Sequence, residues 1–124
     1  LYSRDDLKND ESFGFKTIHC DEFQSEGVDK IVQRIRKRVG DNPLYLSIDI
    51  DVLDPAYAPG TGTPEIAGMS TREMVNVIRG LSGIKLISAD VVEVSPAYDH
   101  AEVTSLAAAT IIYEITNLFA KVKG

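Results

Sequence analysis

Leu44-Tyr45-Leu46-Ser47-Ile48-Asp49-Ile50-Asp51 is the stretch on which the fold turns, an apolar run that closes on acid. Its pattern predicts a strand over 44–51. The strand period of two then places Asp49 and Asp51 on one face, close together. Toward the C-terminus, residues 52–68 hold Pro55, Pro59 and Pro64 among Gly, Thr and Ala. That composition reads as a long loop with little freedom at each proline, and long loops in compact domains are often functional. Ser70-Thr71-Arg72-Glu73 has capping-box spacing, so a helix starts there, carries Met74, Val77 and Ile78 inward and stops at Gly80. Ile84 to Val94 is apolar except at Lys85, Ser88, Asp90 and Glu93, which predicts a strand buried on both faces and ended by Pro96. An Ala-rich helix follows over about 102–119.

Toward the N-terminus, Val28, Ile31, Val32, Ile35 and Val39 fall at helical spacing, with Gly40 as cap and Pro43 as stop. Lys30, Arg34, Arg36, Lys37 and Arg38 fill the other faces of that helix. Cations near a helix C-terminus suit its dipole, so the cluster reads as a solvated face and not as a nucleic-acid surface. Phe15 to His19 predicts a short strand, and residues 1–14 a solvated loop or arm. Strands alternating with helices imply an α/β fold, a parallel sheet with helices on both faces. With no linker in sight, residues 1–124 read as a single domain.

The 124 residues carry nineteen acids against thirteen bases, a net charge of −6 that argues against nucleic acid or an anionic membrane as partner. One cysteine, Cys20, excludes an internal disulfide and a Cys-based zinc site. Two histidines, His19 and His100, leave little for a histidine-rich metal site; His19 reads as a core or edge residue and His100 as a surface or capping one. No apolar run is expected to reach the 18 to 20 residues that span a bilayer. The chain opens Leu-Tyr-Ser-Arg-Asp-Asp without a signal-peptide pattern, and reads like a piece of something longer.

Two facing carboxylates repel unless a proton or a cation lies between them. Hard oxygen donors at the carboxyl end of a strand in an α/β sheet suit Mg²⁺ or Mn²⁺. On spacing alone, a metal pair and a loop-capping pair stand equal. An EF-hand loop is excluded, because the glycine and acid it needs are Asp54 and Gly60 here. A haloacid-dehalogenase-type phosphatase would use Asp49 as nucleophile, but Leu53 stands where that motif has Thr or Val.

A longer match exists. Ser47-x-Asp49-x-Asp51-x-x-Asp54-Pro55, then Ala58-Pro59-Gly60-Thr61-Gly62-Thr63-Pro64 and Gly68, resembles the signature of the ureohydrolases, the arginases, agmatinases and their relatives. The Pro-Gly-Thr-Gly-Thr-Pro stretch stands nearer the agmatinase side. Asp90-Val91-Val92-Glu93-Val94-Ser95-Pro96, and Asp99-His100 before the last helix, resemble the family's C-terminal end. The resemblance implies an arginase-like three-layer fold of which this is a partial domain, the C-terminal half. It implies a binuclear Mn²⁺ hydrolase that splits a guanidino compound, agmatine first, into urea and an amine. Asp49 and Asp51 match metal ligands and Glu93 the substrate-facing carboxylate. Asp54 and Asp90 read as supporting groups, and Thr61 and Thr63 as shaping the loop under the site. The family's other metal ligands and its proton-shuttle histidine have no counterpart in these residues, so the isolated chain is expected to be inactive. Intact members are commonly trimers or hexamers, which implies a homo-oligomer. A non-catalytic truncated or degenerate α/β fragment is the alternative reading. Compartment is not legible, the cytoplasm or the mitochondrion being favoured.

Overall fold

The computed structural model describes the backbone of residues 4–121 and the side chains of residues 8–120. Along the chain come α1 (Arg4–Ser12), α2 (Cys20–Glu26), α3 (Val28–Val39), β1 (Leu44–Asp49), α4 (Thr71–Gly80), β2 (Leu86–Val92) and α5 (Val103–Lys121). β1 and β2 pair in parallel, as strands joined through a crossover helix must. The register pairs Leu46 with Ala89 and Ile48 with Val91 on one face, and Tyr45 with Ser88, Ser47 with Asp90 and Asp49 with Val92 on the other. A register shift beside Leu44 absorbs Ile87 as an extra residue, the signature of a bulge.

The inner face packs against the helices. Ile48, Ile50, Leu53, Ile78, Ile84, Leu86, Ile111 and Ile115 form one buried cluster with Phe23 and Ile31. Fully burying a side chain of this size stabilises by about 1.5–3 kcal/mol, which makes the cluster the main source of stability. Three sequence expectations hold closely. α3 ends at Gly40, where φ is +57°. α4 starts on Ser70, whose hydroxyl accepts the Glu73 N–H at 3.2 Å while the Glu73 carboxylate accepts the Ser70 N–H at 2.8 Å. α5 begins one residue later than expected.

Other expectations are corrected. Residues 4–12 of the supposed arm are helical; the run has no Gly, Pro or β-branched residue, and Asp5 and Asp6 sit in a first turn that favours acid. Residues 1–3 of that arm lie outside the described residues. The stretch 15–19 is not a strand, because neighbouring helices claim its ends: the Phe15 N–H donates to the Asp10 carbonyl at 3.0 Å and the His19 N–H to Glu22 Oε2 at 2.9 Å. β1 stops at Asp49, where Ile50–Val52 form one 3₁₀ turn, so strand alternation does not extend to Asp51. β2 is not buried on both faces, since Ile87 is 61% exposed and Tyr45 beside it 56%. The fold itself is the expected one, α/β with helices packed on a parallel sheet. The 18-residue window Val103–Ala120, with mean hydropathy 1.3, is long and apolar enough to cross a membrane, contrary to expectation. In the fold it is a packing helix: Thr104, Ala107, Ala108, Ile111, Ile115 and Leu118 recur every three or four residues on its buried side, and it packs on β2 and α4.

Carboxylates hold the ends of several elements. Asp54 lies below its usual range through the N–H groups of Ala56 and Ala67, and Glu73 through Ser70. Removal from water pushes the Asp99 carboxyl up, but backbone and side-chain hydrogen bonds from Ser105 and Thr104 outweigh this and hold it far below the usual range. Such lowered groups stabilise the fold fully above their ordinary values of 3.8 and 4.5 and lose that contribution as pH falls through the lowered ones. Melting temperature is therefore expected to drop on going from about pH 6 to about pH 3, and to drop less in Asp99→Asn. Equal drops in both proteins would contradict the role given to Asp99.

Candidate functional site

The acidic strand end acquires its shape from local hydrogen bonds. Asp49 Oδ1 accepts the Asp51 N–H at 3.2 Å, an Asx-type cap that ends the strand and starts the 3₁₀ turn. That turn buries Ile50 and Leu53 completely and leaves both carboxylates half-buried at the lip of a cavity of about 490 Å³. Asp51 Oδ2 accepts the Thr63 hydroxyl at 2.8 Å, which ties the strand end to the long loop.

The loop is closed at its base. Leu53 and Met69 form an isolated parallel bridge: the Asp54 N–H donates to the Met69 carbonyl and the Met69 N–H to the Val52 carbonyl, each at 2.9 Å. Asp54 clamps both ends of the loop, Oδ1 accepting from Ala56 and Oδ2 from Ala67, each at 2.8 Å. Ala67 adopts φ +70°. Its carbonyl accepts the Cys20 thiol at 3.0 Å, so the start of α2 forms the far wall of the cavity beside Thr63, Gly68 and Ile66.

Glu93 follows directly on β2 with φ +64°, a left-handed conformation that costs a side-chain-bearing residue about 1–3 kcal/mol and tends to occur at functional sites. Its charge reaches Asp49. The Asp49 carboxyl is pushed up first by removal from water, then by the negative charges of Asp51 and Glu93, against the lowering effect of the Asp51 N–H. Asp49 and Asp51 thus share the lip of the cavity, and Glu93, exposed just after β2, acts on Asp49 through its charge. Asp90 is on the same sheet face but farther from the strand end, where Ser47 Oγ at 2.7 Å and the Tyr45 hydroxyl donate to it. Thr63 donates to Asp51, whereas Thr61 is buried with its hydroxyl unpartnered among the described residues. His19 is an exposed residue at the start of α2 and not a core or strand-edge one, and His100 is exposed before α5.

Chemically, two carboxylates each keep one oxygen out of the hydrogen bonds above, and they share a partly desolvated patch of negative charge. That donor set fits a divalent cation. The capping and cation readings are therefore compatible, because Asp49 caps the turn with one oxygen only. Among the described residues no group of three His, Cys, Asp or Glu side chains could hold a metal ion, so Asp49 and Asp51 make at most part of a coordination sphere. Sequence reading missed Cys20 and Ala67; their place at the site comes from a contact 47 residues apart that no local pattern announces.

Known proteins resemble the chain over nearly its whole length. The chain is 60% identical over 116 residues to "Putative agmatinase 1" of Schizosaccharomyces pombe, spanning 94% of this chain and 29% of that protein. It is 46% identical to the guanidinopropionase of Pseudomonas aeruginosa, spanning 98% of this chain and 38% of that one. It superposes on the proclavaminate amidino hydrolase of Streptomyces clavuligerus with a TM-score of 0.91 at 41% identity, over 94% of this chain and 39% of that structure. The chain thus spans about a third of the length of the relatives it matches. The model of the arginase family matches residues 2–117, and with nearly the whole sequence inside that match the chain belongs to the arginase family.

Proposed function

We propose that this chain is the C-terminal part of a binuclear manganese ureohydrolase that converts a guanidino compound, agmatine first, into urea and an amine. The observation that carries this reading is the pair Asp49 and Asp51 at the lip of one cavity beyond the carboxyl end of β1, with the charge of Glu93 acting on Asp49. The relatives support the substrate class, since their names include an agmatinase, a guanidinopropionase and an amidino hydrolase.

In this reading Asp49 and Asp51 hold manganese, with the remaining ligands outside this chain, and the isolated chain does not turn over substrate. When bound, the ions supply Lewis acidity that activates water near neutral pH. Thr63 fixes the orientation of Asp51. Glu93 pairs with the planar guanidinium through charge-assisted hydrogen bonds and orients the carbon to be attacked. Asp54 keeps the loop base closed so that Thr63 stays on Asp51. The arginase-family match leaves Asp49 without support as a phosphatase nucleophile.

The test is urea release by the full-length protein with Mn²⁺ on agmatine, arginine and 3-guanidinopropionate, agmatine being expected to give the highest kcat/KM. Glu93→Gln is expected to lower kcat/KM by about 10- to 100-fold, the scale of one charge-assisted hydrogen bond. No urea from any of the three substrates would overturn the proposal.

A further inference from the structure

Thr104 is the second residue of α5, yet its side chain is completely buried, and a buried hydroxyl has to be used. Its Oγ1 accepts the Gly60 N–H at 2.7 Å across 44 residues of sequence. The Gly60 carbonyl in turn accepts the Ser95 N–H at 2.8 Å. Gly60 is therefore bonded on both sides, to α5 through Thr104 and to the segment after β2 through Ser95. It also has no spare room: a Cβ there would stand 2.7 Å from Asp99 Cβ, 2.8 Å from Asp99 Cα and 2.9 Å from Thr104 Oγ1.

Both functional arms leave from this junction. Three residues after Gly60, Thr63 donates to Asp51; two residues before Ser95, Glu93 takes its left-handed conformation. Thr104 itself is fixed in place, because Asp99 Oδ1 accepts its N–H at 2.9 Å and Asp99 Oδ2 accepts the Ser105 N–H at 2.9 Å and its hydroxyl at 2.8 Å. The geometry points to Thr104 as a positioning residue: through Gly60 it sets the Thr63–Asp51 pair and Glu93 relative to one another. The inference rests on the proposed ureohydrolase reading for its catalytic consequence, but its structural content stands on these contacts alone. The hydroxyl, and not the bulk, is what matters.

Thr104→Val keeps the shape and removes the acceptor, leaving the Gly60 N–H buried without a partner, whereas Thr104→Ser keeps the acceptor. In the full-length protein, Thr104→Val is expected to lower kcat for urea release by about 10- to 100-fold with a smaller change in KM, and to weaken Mn²⁺ binding, followed by electron paramagnetic resonance of the free ion, by about tenfold. Thr104→Ser should restore both. In the same proteins the Gly60 and Ser95 amides should exchange with deuterium faster in the Val variant than in the wild type or the Ser variant. If Thr104→Val does not fold, Thr104→Cys, whose sulfur is a weak acceptor, takes its place and should show intermediate losses. Wild-type kcat and Mn²⁺ affinity in the Val variant, or equal loss in the Val and Ser variants, would overturn the inference. A wild-type protein that releases no urea sinks the functional proposal instead, and Thr104 is then judged on amide exchange: unchanged Gly60 and Ser95 protection in the Val variant sinks it too.

Discussion

Asp51→Asn in the full-length protein is expected to lower kcat for urea release by about 10³-fold and to weaken Mn²⁺ binding, with the fold intact. A loss of about 4 kcal/mol in charge stabilisation corresponds to that factor, and metal-assisted hydrolysis draws several kcal/mol from this source. Asn keeps an oxygen for the Thr63 hydroxyl, so the loop contact at 2.8 Å survives and only the charge is removed. Asp49→Asn should cost activity on the same scale, and its effect on stability gives a second reading. The Asp49 carboxylate is disfavoured by removal from water and by Asp51 and Glu93, so the folded protein holds it charged at a cost once pH exceeds the ordinary value of 3.8. The Asn amide oxygen can still accept the Asp51 N–H. With metal stripped by a chelator at neutral pH, Asp49→Asn is expected to melt at a higher temperature than the wild type. Normal urea release by both variants would remove the metal role, and a lower metal-free melting temperature for Asp49→Asn would show that the charge is compensated within the fold.

Gly68→Ala carries the largest expected loss of stability, about 3–5 kcal/mol from overpacking together with weakened backbone hydrogen bonds. A Cβ at this position would stand 2.6 Å from the Asp54 nitrogen, 2.8 Å from the Leu53 carbonyl carbon and 2.8 Å from the Val52 oxygen. All three are backbone atoms, which cannot swing aside as a side-chain end can. Relief requires moving residues 52–54 away from residue 68, and that stretches the pair of bonds around Met69. Gly62→Ala is the control within the same loop, since a Cβ there has nothing within 4 Å; its change is expected to stay within about 0.5 kcal/mol. Denaturant unfolding of the two variants checks the contrast, and equal midpoints would show that the base of the loop yields without cost.

Local chemistry made α3, α4 and α5 legible. Each has an apolar stripe at helical spacing, and α3 and α4 also have a Gly stop, which act over a few residues and need no knowledge of the rest. α1 was not legible for the converse reason: Arg4–Ser12 has Leu7 as its one apolar residue, so it is rich in acid but has no stripe. The end of β1 was misread because Ile48, Ile50 and Val52 alternate like a strand, while the Asp49 side chain competes for the Asp51 N–H and turns the backbone. At the site, Asp49, Asp51 and Glu93 stood out as acids in a recognisable frame. The contacts that hold them did not. Cys20 to Ala67 and Thr104 to Gly60 join residues 47 and 44 positions apart, and only the folded chain shows such pairs.

The Leu53–Met69 bridge fixes how this region can come apart. Its two strands are the entry and exit of the same loop, so neither can detach while the other stays, and amide protection at Asp54 and Met69 should be lost together as one cooperative opening unit. Asp51 borders one strand of that unit, and the support for it arrives from inside the loop. An opening of that unit therefore takes Thr63 from its fixed place and loosens the acidic lip with it.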